Sequence, residues 1–283
     1  MGKYKVIVPK LVSVETNAKK INGFYLMRNL NYFKNSTKEL QLHYKIIKSN
    51  KIFIQKEYDF KNSNYQVKDN IWSYKISKYG IKLAFQYDYL NKKFKFNSLI
   101  NNLPARINWT HLAGDYISDV INLDLFLNRF IVLNGIAFRL ENEVYCFCSP
   151  SLNGKTTYLK RNKHRFKEII SDDYVILDFK NKKIGSTPLL MRKNNSKESW
   201  YPIDKIIFDI NSTKKDNKKN PYNVKEFIEM SAMKFNDNIF IKNIIFYHKL
   251  HKQINQILEE LENSDIFNLT NIENYNYEQF IRN

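Results

Sequence analysis

Residues 143–178 read EVYCFCSPSLNGKTTYLKRNKHRFKEIISDDYVILD. Three features in this order decide the fold: an apolar run, a short loop closing on Gly154-Lys155-Thr156-Thr157, and a second apolar run interrupted by Asp172-Asp173. Tyr145–Cys148 reads as a buried strand and Thr156–Phe166 as a short helix. A strand feeding a helix start across a tight loop aims backbone N–H groups and the positive end of the helix dipole at one point, where phosphate oxygens can sit. Glycine is scarce, seven in 283 residues, so one placed between such a strand and Lys-Thr-Thr is informative. Gly154 lets the backbone approach an anion, Lys155 reaches terminal phosphates and Thr156 offers its hydroxyl to Mg²⁺. The expected phosphate-binding set is Ser149, Ser151, Asn153, Gly154, Lys155, Thr156 and Thr157. The pattern is incomplete, since Ser149 stands where a first glycine is usual and Leu152 replaces another common glycine. An ordinary turn at Gly154 with a solvated Lys155 is the competing reading.

The second apolar run, Glu168–Asp178, is suited to a sheet except at its two carboxylates, which are costly to bury without partners. On a regular strand Asp172 and Asp173 point to opposite faces. One would bind or orient Mg²⁺, and the other would approach a substrate hydroxyl if the strand bends or ends there. A strand end with both carboxylates in water is the alternative. The separation from Lys155, one helix plus a turn, is that of neighbouring strands in a parallel βαβ unit.

Working outward, Asn134–Leu140 and Glu143–Cys148 flank a turn at Glu141-Asn142 and read as a hairpin that delivers the chain to the loop. Before it, ISDVINLDLFLNRFIVL (117–133) carries apolar residues at helical spacing. Residues 1–125 are strand-rich. Lys5–Val14 reads as one extended segment, His43–Tyr58 as a hairpin and Ile71–Phe96 as further strands, whereas Lys61–Asn70 is polar and turn-like and Asn101–Trp109 is a loop. Downstream, Ile203–Ile210 is strand-like, Asn211–Asn220 a polar loop and Val224–Phe235 helical. Asp237–Leu261 reads as one helix with Tyr247, Leu250, Ile254, Ile257, Leu258 and Leu261 on a single face, and Ile266–Leu269 as a final strand. There is no internal repeat. The expected fold is α/β (α+β overall), with a strand-rich region over 1–125 followed by a core over 126–283 that carries the phosphate-binding loop.

The net charge of +18 is dispersed along the chain. It argues against a dedicated nucleic-acid surface and suits an acidic small substrate such as a nucleotide. Cys146 and Cys148, the only cysteines, read as thiols packed on one face of a strand. No apolar run reaches membrane-spanning length and no secretory signal is present at the N-terminus, so a cytoplasmic protein without a membrane partner is expected. The five histidines are scattered, and only His248 and His251 share a helical face.

Taken together, Leu133-Asn134-Gly135-Ile136-Ala137, then Ser149–Thr157, then Ser171-Asp172-Asp173 resemble in order and spacing the HPr kinase and PEP-carboxykinase-like superfamily. The resemblance is particularly to stand-alone serine-kinase-like proteins associated with ribosomal peptide-modification genes. It is specific from Leu133 to Asp173 and more general beyond, where Pro188–Lys193 is similar to a segment that brings a basic residue toward the site. The resemblance implies that Lys155 binds the β/γ-phosphates, that Thr156 holds Mg²⁺, and that Asp172 and Asp173 share metal binding and activation of the accepting hydroxyl. It also implies a phosphate contact from Arg192 and that the core over 126–283 is a P-loop kinase-like core. The donor would be ATP, another nucleoside triphosphate or pyrophosphate, and the acceptor a serine of a peptide, a protein or free serine. Homo-oligomer formation is left open. Asn134 departs from the histidine common at its position, which removes any acid–base role there. The alternative is a degenerate, non-catalytic relative that binds a nucleotide or an acidic partner. A P-loop NTPase that hydrolyses ATP for motion is disfavoured, because no water-activating or arginine-finger segment is evident.

Overall fold

The computed structural model describes residues 3–8, 12–16, 42–48, 60–62, 65–78, 81–100, 110–148, 155–172, 174–186, 200–208, 239–264, 266 and 270–271. They form an α+β protein with two eight-stranded sheets. The chain divides into two compact units, Met1–Ser118 and Asp119–Asn283, and the division falls inside helix α1 (Thr110–Leu127).

In the first unit, β1 (Lys3–Val8), β2 (Val12–Thr16), β3 (Leu42–Lys48), β4 (Phe60–Asn62), β5 (Tyr65–Lys68), β6 (Ile71–Lys78), β7 (Ile81–Asp88) and β8 (Lys93–Ile100) lie in the order β1-β2-β3-β8-β7-β6-β5-β4. Two expectations are corrected. Lys5–Val14 is not one extended segment, because β1 and β2 pair antiparallel as separate strands. The polar stretch 61–70 is not merely a turn, since β4 and β5 pair there and β5 continues onto β6. Cross-strand pairing overrides weak local β-propensity in this stretch. Register sets Val67 beside Trp72, Trp72 beside Tyr87 and Tyr87 beside Phe94, and all four are fully buried. Phe94 stacks on Tyr87 at 4.5 Å and on Tyr44 at 5.8 Å between ring centroids, so one aromatic row crosses the sheet. On the opposite face the neighbouring row is polar, and Gln86 Nε2 donates to Ser73 Oγ at 3.1 Å.

The second sheet contains β9 (Phe130–Leu140), β10 (Glu143–Cys148), β11 (Glu168–Ser171), β12 (Tyr174–Asp178), β13 (Lys183–Ser186), β14 (Trp200–Pro202), β15 (Lys205–Phe208) and β16 (Thr270–Asn271). Its order is β14-β13-β12-β9-β10-β15-β16, with β11 also on β9. The expected hairpin is present, with β9 and β10 antiparallel around Glu141-Asn142 and Glu141 in the left-handed region at φ 52°. Residues 130–133 are strand rather than helix. Helix α1 stops because Arg129 adopts φ 68° and its N–H bonds back to the Phe126 carbonyl, while the Asn128 amide donates to the Asp124 carbonyl at 2.7 Å. The long helix expected over 237–261 is two helices, α3 (Ile239–Tyr247) and α4 (His251–Glu262), separated where Lys249 takes φ 54°. Leu250, Ile254, Ile257 and Leu261 of the expected apolar face are buried. The break separates His248 from His251, which opens α4. The strand expected over 203–210 is present as β15, Lys205–Phe208, and residues 209–210 lie outside the described residues. Residues 224–235 lie outside the described residues.

One turn chemistry occurs in both sheets. After β7 and after β12 the strand-terminal aspartates, Asp88 and Asp178, each accept from the backbone N–H and the side-chain amide of the asparagine three residues on, Asn91 and Asn181. The last turn residues, Lys92 and Lys182, are left-handed at φ 48° and 51°. The side-chain carboxylate thus replaces a strand partner for the turn's backbone N–H.

Candidate functional site

β9 organises the region that the sequence singles out. It is 11 residues long and carries β10 along one edge, while β11 and β12 follow one another along the other. The face of β9 and β10 bearing Ile136, Phe138 and Tyr145 packs with Ile207 of β15 against Tyr158 and Leu159 of α2 (Lys155–Asn162), with Phe147, Phe166 and Ile169 around the margin. Ring contacts of Phe138 with Phe166 at 4.4 Å and Phe147 with Tyr158 at 6.0 Å fix α2 on the sheet. The opposite face of β10 carries Cys146 and Cys148, both fully buried with their sulfurs 3.4 Å apart and reduced, as the alternating pattern implies. Burial pushes the Cys146 thiol well up, and the Cys148 contact adds to it, so the Cys146 thiol is a poor nucleophile.

Lys155 is the first residue of α2 and only 6% exposed. Thr156 follows in the first helical turn, and Thr157 is exposed on the outer side. The remaining expected phosphate ligands, Ser149, Ser151, Asn153 and Gly154, lie outside the described residues, as do Asp173 and Arg192.

Asp172 is 8% exposed and sits in a bend, not within a strand. The strand expected over 168–178 is therefore two, β11 and β12. The Ser171 hydroxyl donates across the interruption to the Tyr174 carbonyl at 2.6 Å, pinching the chain where the carboxylates fall. Pairing resumes in the same register, Ser171 opposite Ala137 and Tyr174 opposite Asn134, so the step between them runs beside Ile136 and Gly135. On the other edge of β9 the same two residues pair with Phe147 and Cys148, the end of β10. A neighbouring-strand βαβ unit is thus corrected. β11 and β12 run in the direction of β10, but β9 lies between, and the parallel neighbour of β10 is β15. Two strand spacings put the end of β10 and the Asp172 bend about 10 Å apart.

Gly135 stands at the centre of this level. A β-carbon there would lie 2.9 Å from the Phe147 carbonyl oxygen and 3.1 Å from Cys148 Sγ. The sequence pattern noted Gly135 without its reason, which is this close approach of β9 to the end of β10.

No family model matches the chain, and no curated protein matches it.

The residues that remain are chemically suited to a magnesium nucleotide. A buried ammonium opens a helix whose first turn continues with a threonine, and a buried carboxylate sits at a bend two strands from the end of β10. Mg²⁺ in such sites takes one or two carboxylates together with phosphate oxygens and water, so it does not require a protein cage. Among the described residues no group of three or more His, Cys, Asp or Glu is placed to hold a metal ion, and no helix is long and apolar enough to cross a membrane.

One feature escaped the sequence pattern. Lys160, Arg161, Lys163, His164 and Lys167 follow Lys155 closely and are all exposed, so the charge is locally concentrated here and not dispersed. The signal was present as KRNKHRFK, six basic residues in eight.

Proposed function

We propose that this protein is a kinase that transfers a phosphoryl group from Mg-ATP, another nucleoside triphosphate or pyrophosphate to a serine hydroxyl of a peptide, a protein or free serine. The observation that carries the reading is the common level on β9. The strand running into the Gly154-Lys155-Thr156 segment ends beside Gly135 and Ile136 on one edge, and the bend bearing Asp172 sits beside the same two residues on the other. Lys155 would neutralise charge on the transferred phosphoryl group, and backbone N–H groups at the start of α2 would orient it. Thr156 would complete the magnesium shell. Asp172 and Asp173 would divide metal binding and acceptance of the serine proton, and the Ser171 hydroxyl bond to the Tyr174 carbonyl sets Asp172 in a bend outside the regular ladder.

The test is thermal unfolding of wild type and Lys155→Met with Mg-ATP, Mg-GTP and Mg-pyrophosphate, followed by transfer of labelled phosphate from the stabilising donor to serine-containing peptides and free serine. A donor at about 100 times its dissociation constant stabilises the native state by roughly 2.7 kcal/mol. Stabilisation of wild type alone, with transfer abolished in Asp172→Asn, is the expected result. A donor shift that persists undiminished in Lys155→Met would sink the assignment. Stabilisation without transfer to any acceptor would leave a nucleotide-binding protein.

A further inference from the structure

We infer that the outward side of α2 and the 3₁₀ turn after it (Lys163–Arg165) is a docking surface for an acidic polypeptide segment. α2 divides cleanly. Lys155, Tyr158, Leu159 and Asn162 are buried, whereas Thr157, Lys160 and Arg161 are exposed, and the exposed side continues through Lys163, His164 and Lys167. From Val144 to Lys167 the chain contains no carboxylate.

Basic residues nearby are matched locally. Arg139 faces Glu168, Lys205 faces Glu143, and Arg129 is paired with Glu260. None of the ion pairs among the described residues involves Lys160, Arg161, Lys163 or Lys167. Favourable placement at the C-terminal end of a helix dipole accounts for Lys160 and Arg161. It does not account for Lys163 and Lys167, which lie beyond the helix and add like-charge repulsion to it. An anionic partner would relieve that repulsion, and the surface rides on a helix fixed to the core, so docking orders few side chains anew.

The chemistry favours a peptide over single-stranded nucleic acid. Nucleic-acid surfaces of that kind pair basic groups with exposed aromatic platforms. Here Tyr158 is buried and Phe166 is packed against Phe138. The spacing also suits a peptide acceptor, and this part rests on the kinase reading. Along α2 the basic surface begins about 8 Å from Lys155, at Lys160, a span covered by roughly two to three residues of extended peptide, about 3.4 Å each. Acidic residues about three to six positions from the accepting serine would then lie on the surface while the serine reaches the start of α2.

Binding of fluorescent peptides to the full chain tests this by anisotropy. The probes are a serine peptide with a run of six glutamates, its glutamine counterpart, and a single-stranded oligothymidine of equal charge. The proteins are wild type, Lys160→Gln/Lys163→Gln/Lys167→Gln and the corresponding Glu triple variant, each checked for an unaltered melting profile. All three substituted positions are exposed, so the variants are expected to fold. The acidic peptide should bind wild type, weaken at least tenfold in the Glu variant and by an intermediate factor in the Gln variant, and weaken with added salt. The glutamine peptide should not bind. Absence of acidic-peptide binding to wild type, equal binding by the Glu variant, or tighter binding of the oligothymidine would overturn the inference. Binding is read without phosphoryl transfer, so a failure of the kinase reading appears separately, in the absence of a donor-induced shift.

Discussion

Replacing Gly135 with alanine tests the geometry at the centre of the site. The new methyl would press on the Phe147 carbonyl oxygen at 2.9 Å and on Cys148 Sγ at 3.1 Å. The first contact is with backbone, so relief requires β9 and β10 to part slightly rather than a side chain to turn. Overpacking of this kind costs about 1–3 kcal/mol. In a folding unit of this size, each kcal/mol shifts the midpoint by roughly 2–4 °C, so a fall of about 2–12 °C is expected. Urea unfolding followed by circular dichroism gives the free energy directly. Cys148→Ala removes the sulfur contact but not the carbonyl one, so the cost of Gly135→Ala should shrink in that background by about 0.5–1 kcal/mol without vanishing. The shifted strand end should also reduce the thermal stabilisation produced by Mg-nucleotide. A Gly135→Ala protein within about 0.5 kcal/mol of wild type, or a cost identical in the two backgrounds, would refute the packing argument.

Glu260 forms a two-point ion pair with Arg129, Oε2 to Nε at 2.8 Å and Oε1 to the guanidinium at 2.9 Å. Those hydrogen bonds hold its carboxyl below the ordinary value against a smaller opposing effect of burial. A depressed value in the folded state means stabilisation that is complete above the unfolded-state value, near pH 4.3, and lost as pH falls through the folded one. The pair is well exposed to water, so Glu260→Gln should cost less than about 1 kcal/mol at pH 7. The two proteins should converge in strongly acidic urea titrations, and a gap that widens with acid would contradict the sign. In native protein, Cys146 and Cys148 should both resist a polar aromatic disulfide reagent and react together on unfolding. Rapid labelling of either in the native state would show that β10 is not packed on both faces.

The sequence carried the local parts of this structure well. The hairpin of β9 and β10 follows from alternating apolar residues around a two-residue turn, and α2 follows from the helix-compatible run after Lys155. What escaped is non-local. Nothing in Glu168–Asp178 states that its partner is β9, so the sequence carries no sign of the strand between β10 and the Asp172 bend. The end of α1 at Arg129 carries no glycine signal, because an arginine there takes the left-handed conformation and the asparagine before it caps the helix. The polar stretch of β4 and β5 becomes strand only through its pairing with β6. By contrast, DYLNKK at 88–93 and DFKNKK at 178–183 announce the same turn in plain letters, and only the mechanism, a carboxylate bonding the asparagine three residues on, gives the likeness its meaning.

The order in which β10 acquires its neighbours matters during synthesis. Its pairing with β9 closes within a few residues of chain, but its outer edge waits for β15, about 60 residues further on. At translation rates of about 5–20 residues per second, that edge remains without its partner for roughly 3–12 seconds. It belongs to the apolar segment VYCFC, which has no charge to discourage pairing with another nascent chain. The strand that leads into the candidate site is therefore also a point at which the newborn protein is exposed to misassembly. Expression at reduced temperature lengthens this interval even as it weakens the hydrophobic association that would exploit it.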